Sequence, residues 1–467
     1  NDTAKSERKR GEVRMGATTP VVTQMRVVPV AGYDSMLMTL SGAHAPYFIR
    51  NLVILTDSSG NQGVGEIHGG EHTRTELERY IPLVVGQPIG NYRAVVQSLS
   101  AFRRGRREAG DNGEGIQSLD ISNLKYVVQA EGAVEMAMLD LLGKFMGLPM
   151  CALLANGQQR DRVRFLGYLF YVSDCARARP DLPYRDEGDS DDPWFRLRNT
   201  EMLTPEAIVE QAETLQAKYG FRDFKLKGGV LPCGEEMEAV KALKRRFPEG
   251  NINIDPNGAW RLEEAIVACR DAKWALSYAE DPVGPESGFS SRETNAEFKM
   301  ATGIPVATNM FAVNFRQLYH SLVEKSVDIV LADPHFWTMD GSLRVAQDMN
   351  DWGLTWGIHS NNHFDITLAT FVQCAAAAPG EITAIDTHYI WQDGQYLTQA
   401  PLQFEDGCIK VPDAPGLGVE VDMGAVERAH QLYCSMPACF RERDDSMAMQ
   451  YLIPNWTYDS KHPCLVR

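Results

Sequence analysis

Three oxygen-bearing side chains close successive apolar runs of the chain: Asp255 in INIDPNG, a carboxylate at Glu280 or Glu286 in YAEDPVGPE, and Asn309 in PVATN. A small set of hard oxygen ligands of this kind suits Mg²⁺ and leaves positions for water and substrate. No paired His or Cys stands at the same places, which disfavours zinc. Lys225 and Lys227 are two apart in FKLK, so in a strand both project from one face, with Phe224 and Leu226 on the other. If that face is an interior, burial and mutual repulsion are expected to push the ammonium groups down toward the range of a useful base. Asp333 in LADP and His359 in GIHS end two further consecutive runs. A carboxylate beside an imidazole fixes the ring tautomer and raises its basicity. His363, followed by Phe364, reads as structural.

These residues need a scaffold that gathers strand ends in one place. From about residue 162 the chain repeats an apolar strand followed by an amphipathic helix. Gly220, Gly303, Gly353 and Gly380 are placed as left-handed helix caps. The strands expected are RVRFLGYLFYV, FRDFKLKGG, INIDPNG, ALSYAEDP, PVATN, VDIVLADP, LTWGIHSN and ITAIDTH, enough to close a (β/α) barrel. Asp255, Glu280, Asn309, Asp333, His359 and Asp386 then share the rim formed by the C-terminal strand ends, where such barrels carry their chemistry. Upstream, the stretch 21–66 alternates apolar runs with turn signals, and helices are expected near 73–85 and 130–146. Those elements form an α+β domain. The expected organisation is a charged, disordered arm over 1–18, a capping domain over 19–155 completed by 417–467, and a barrel over 156–416. The stretches 103–115 and 180–192, the latter carrying RDEGDSDD, are expected to be surface loops or lids.

A chain of 467 residues with 44% hydrophobic and 23% charged residues has the composition of a soluble globular protein. Its formal charge of −16 repels phosphate backbones and anionic membrane surfaces, so neither nucleic acid nor membrane is expected as a partner. An anionic small molecule would need local positive charge. Nine cysteines without a CxxC pair, among them Cys151, Cys233, Cys374 and Cys464, suit reduced thiols. With a charged opening stretch and no run of about 18 apolar residues, a cytoplasmic location is expected.

A divalent cation with a Lys base and a His base is the known combination of enolase-superfamily sites, which stabilise an enediolate. The strings FKLKGGV, DPNGAW, YAEDP, ATNM, LADPHFWT, GLTWGIHSNNHFDI and AIDTH, together with SGAHAP and MQYLIPNWT, resemble the glucarate dehydratase subgroup of that superfamily. The resemblance runs from about Thr19 to the C-terminus. It implies a modified (β/α)₇β barrel with an α+β cap, acting on an acid sugar with Mg²⁺. Lys227 and His359 would be the two acid/base groups, Asp333 would orient His359, and Lys225 would lie near the substrate carboxylate. Asp255, Glu286 and Asn309 would bind the metal, with Glu280 as the other candidate. Substrate contacts would come from His44, Ser118, Tyr168, Lys225, Asn257, Asn309, Ser360, Asn361, His388 and Arg443, the last suited to a distal carboxylate through its two-pronged guanidinium. Ser118 stands where threonine is expected, Tyr389 where tryptophan is, and His68 replaces a small residue or proline. Self-association is expected as well. The alternatives are a relative acting on another aldarate or mainly epimerising, and a catalytically silent partner of a true dehydratase.

Overall fold

The computed structural model describes residues 19–41, 44–106, 124–174, 187–441, 455 and 459–461. Three antiparallel strands open it: β1 (Val22–Tyr33), β2 (Tyr47–Asp57) and β3 (Gln62–His68), paired in that order. The helix Glu131–Met146 lies against β3 and is buried on nearly every side. Glycines make that approach possible. Gly63 and Gly65 share one face of β3, and a Cβ on either would stand 2.2 Å from the Ala137 oxygen or 2.1 Å from the Ala133 oxygen. The same face of the sheet, nearer β1, is covered in part by the helix Met423–Ser435, whose Tyr433 packs with Ala31, Ile49 and Met436. The helices near 73–85 and 130–146 are found as Glu71–Val84 and Glu131–Met146, the second capped by left-handed Gly147.

The expected first barrel strand divides. β4 (Arg162–Arg164) pairs antiparallel with β12 (Cys408–Lys410), while β5 (Gly167–Phe170) enters the barrel sheet. Six parallel strands follow β5 in sequence order: β6 (Phe224–Lys227), β7 (Ile252–Asp255), β8 (Tyr278–Glu280), β9 (Val306–Thr308), β10 (Ile329–Leu331) and β11 (Thr355–Gly357). The eighth expected strand, around ITAIDTH, forms no regular strand. It closes the barrel through bridges instead, with Thr383 N donating to Trp356 O on one side and Leu166 N donating to Ile385 O on the other. The fold is therefore a modified TIM barrel beside a separate antiparallel cap.

Helices end at three of the four glycines so placed, but the helix Asp365–Ala377 ends on extended Ala378, short of Gly380. Gly220 and Gly303 are left-handed caps, at φ 76° and 67°, Gly353 follows one helix end at φ 70°, and Gly380 lies past another at φ 66°. Among the described residues, no helix is long and apolar enough to cross a membrane.

Candidate active site

Alternation along short parallel strands decides what faces the barrel axis. In the β5–β6–β7 register, Tyr168 pairs with Lys225 and Lys225 with Asn253, while Phe170 pairs with Lys227 and Lys227 with Asp255. The inward set is thus aromatic, cationic and anionic in one layer, and all of it is buried. Lys225 Nζ donates to both Glu280 and Asp386 and lies 4.8 Å from the centre of the Tyr168 ring. Burial alone would lower its pKa, but Asp386 and Glu280 raise it well above the ordinary lysine value. The expected downward shift is therefore wrong for Lys225: the interior supplies anions, which favour its cationic form. Lys227 Nζ donates to Asp255 Oδ2, which also accepts from the Tyr168 hydroxyl at 3.2 Å. Burial works against ionised Asp255, yet Lys227 and Lys225 hold its carboxyl below the usual range.

Asp255, Glu280 and Asp281 each bring one carboxylate oxygen to within 4.8 Å of the others, a group that could hold a metal ion. Burial, and then repulsion from Asp255, pushes Glu280 well up and Asp281 up to about 8. Crowded carboxylates of this kind are what a divalent cation relieves. The Asn309 amide closes the group. With its nitrogen toward the carboxylates it donates to Asp281 Oδ2 at 3.0 Å and Glu280 Oε1 at 3.1 Å and accepts from His359 Nε2 at 3.0 Å. With its oxygen turned that way, as ligation requires, three oxygens converge, an arrangement that a cation would stabilise. The donor set is all oxygen, and it fits magnesium.

Asp281 was not anticipated, because strand alternation after Glu280 should turn it outward. Its φ of 40° brings it back, and its carboxylate accepts from Thr308 Oγ1 at 2.6 Å and Asn309 N at 3.2 Å. Glu286 lies apart from this group. Its Oε2 accepts from Leu262 N at 3.1 Å and is 3.3 Å from Lys461 Nζ, whereas Glu280 stands with Asp255 and Asp281.

Across the rim, His359 Nδ1 is 3.4 Å from Asp333 Oδ2, and its ring stacks on Phe336 at 5.7 Å between centroids. Burial would raise the Asp333 pKa, but His335 and His359 hold it well below the carboxylate range. His335 is a second missed residue: its Nδ1 is 2.8 Å from Asp333 Oδ1. The remaining expected contacts ring the same space. His44 Nδ1 bonds Asp34 Oδ2 at 3.1 Å, and its Nε2 is buried without a partner. Asn257, at φ 51°, donates to Met310 Sδ at 3.3 Å and leaves its oxygen without a partner. Ser360 Oγ is 2.7 Å from His388 Nδ1, and Asn361 Nδ2 is 2.9 Å from His68 Nε2. Burial holds His388 well below the ordinary histidine value, and its ring sits edge-on to Tyr168 at 4.9 Å. Ser118 and Arg443 lie outside the described residues.

The model described as enolase C-terminal domain-like matches residues 207–425. A probable glucarate dehydratase from Streptomyces coelicolor is 33% identical over 450 residues, covering 94% of this chain and 98% of the relative. The chain belongs to the enolase superfamily. Similarity within the superfamily is broader than one activity: a D-xylonate dehydratase from Haloferax volcanii is 24% identical over 408 residues, covering 82% of this chain and 85% of the relative. Among solved structures, an enolase from Pseudomonas fluorescens with bound magnesium, potassium and tartrate superposes with a TM-score of 0.83 at 32% identity, covering 95% of this chain and 99% of that one. Within the superfamily, the chain's likeness is to sugar acid dehydratases.

Proposed function

We propose that the protein is a magnesium-dependent hydro-lyase that removes water from D-glucarate and from its epimer L-idarate, giving 5-dehydro-4-deoxy-D-glucarate from both. One observation carries this reading: Lys227 and the His359–Asp333 pair flank one group of metal-competent oxygens from strands far apart in the sheet, Lys227 against Asp255 and His359 against Asn309. Magnesium held by Asp255, Glu280 and Asn309 would supply positive charge that makes the carbon beside the substrate carboxylate acidic. Lys225, held in its cationic form by Asp386 and Glu280, adds charge at the same end. His359 Nε2 takes the α-proton of glucarate and Lys227 Nζ that of idarate, from opposite faces, leaving the same enediolate. His359 then gives a proton to the departing hydroxyl, the one it took from glucarate or, with idarate, one that it already carries; water leaves, and the enol becomes a ketone.

The buried, unpartnered polar atoms of His44 and Asn257 are suited to substrate hydroxyls. By resemblance, Ser118, Asn361 and His388 add contacts, and Arg443 takes the distal carboxylate. The same reading makes the protein a cytoplasmic, self-associating enzyme without nucleic-acid or membrane partners. Assay of keto-acid formation with D-glucarate, L-idarate, galactarate and D-xylonate tests it. Glucarate and idarate should be the fastest and yield one common product. Faster turnover of galactarate or xylonate, or interconversion of glucarate and idarate without loss of water, would contradict it.

A further inference from the structure

The proposed base His359 depends on Asp333, and Asp333 depends on a neighbour that the reaction itself does not require. Asp333 Oδ1 accepts from the backbone N–H of His335 at 2.8 Å and lies 2.8 Å from its ring Nδ1. That leaves Oδ2 as the oxygen facing His359 Nδ1, at 3.4 Å. The opposite ring nitrogen of His335 reaches the capping sheet. Nε2 is 3.1 Å from the backbone oxygen of Glu66 on β3 and 3.4 Å from Arg50 Nη2 on β2. Arg50 and Glu66 are themselves a buried ion pair at 2.9 Å. Glu66 also accepts from Phe364 N at 2.9 Å and Thr367 N at 2.8 Å, gripping the far end of the loop that carries His359. Two tethers therefore run from the cap to the two halves of the dyad, and all of their side chains are buried.

We propose that His335 is a positioning residue: it fixes the Asp333 carboxylate so that His359 Nδ1 faces Oδ2 and His359 Nε2 faces the substrate, and it references that arrangement to the capping domain. A carboxylate anchored through one oxygen presents the other to the imidazole, and the imidazole tautomer follows from it. Lys227 lies on the other side of the site and is bonded to Asp255, outside this chain of contacts. The inference rests on the two-base reading above, and it predicts a one-sided defect.

The test uses the full chain with Mg²⁺ in D₂O and follows α-proton exchange of D-glucarate and L-idarate by NMR, with thermal melting as a check on folding. Two variants of similar polarity separate the roles of the ring nitrogens. His335→Asn keeps an N–H near the Nδ1 position. His335→Gln keeps one near Nε2 and withdraws it from Asp333. In His335→Gln, glucarate exchange should fall about ten- to a hundredfold, as for other groups that orient a functional side chain from behind. Idarate exchange should stay within about threefold. His335→Asn should recover most of the glucarate rate. Equal loss on both epimers, or no loss on either, overturns the inference while a parallel His359→Gln variant with a one-sided defect upholds the two-base reading. If His359→Gln itself shows no one-sided defect, that reading falls and the inference falls with it.

Discussion

Lys225→Met removes the cation that offsets two fully buried carboxylates, Glu280 and Asp386, while keeping most of the side-chain volume. Breaking a buried ion pair from one side costs about 3–5 kcal/mol, because an uncompensated charge remains. The carboxylates can escape that cost by taking up protons, which makes the loss depend on pH. Both already have pKa values raised above their unfolded values, by burial first, with repulsion between the carboxylates adding to it. A group of this kind binds protons more tightly when folded, so its contribution to stability declines as pH rises above the unfolded value near 4. Without Lys225 the folded values rise further and the decline extends to higher pH. Each pH unit in that window adds up to about 1.4 kcal/mol for each proton involved. For one such proton, the deficit relative to the wild type should therefore be up to about 3 kcal/mol larger at pH 8 than at pH 6. Urea unfolding of metal-free protein at the two pH values measures it, and added Mg²⁺ should recover part of the loss at pH 8. An unchanged midpoint at pH 8, or a deficit that grows on acidification, would refute the reasoning.

Removal of metal with excess chelator should abolish turnover, and Mg²⁺ should restore it, since several kcal/mol of transition-state stabilisation are withdrawn; full turnover in chelator contradicts this. In calorimetric titration with Mg²⁺, Glu280→Gln should weaken binding by at least about tenfold, whereas Glu286→Gln, whose carboxylate is engaged by Leu262 and Lys461, should change it little; the reverse result assigns the ligand to Glu286. Burial pushes the Glu135 carboxyl up to about 8, so wild-type stability should fall between pH 6 and 8 by up to about 1.4 kcal/mol per unit from this group, and Glu135→Gln should flatten that slope in melting curves.

Much of this site was legible because strand alternation is strict. Lys225 and Lys227 could be put on one face from their spacing alone, and the structure puts both inside. The direction of the Lys225 shift was not legible, since it depends on Glu280 and Asp386 arriving from segments 55 and 161 residues away in sequence. Asp281 escaped because a positive φ breaks the alternation that would have hidden it. His335 escaped because its partners Glu66 and Arg50 belong to the cap, and no local pattern links β2 and β3 to the end of β10. The closing segment around Ile385 showed a strand's composition but is held by single bridges to its two neighbours, a distinction set by packing and not by propensity.

The central claim is that two bases work from opposite faces of one substrate carbon, and α-proton exchange in D₂O with His359→Gln and Lys227→Ala tests it most directly. His359→Gln should lose glucarate exchange and dehydration by several orders of magnitude while idarate still exchanges, and Lys227→Ala should show the opposite preference. If His359→Gln loses exchange on both epimers equally, with its fold and metal affinity intact, the two-base account is contradicted and a single base must do the work.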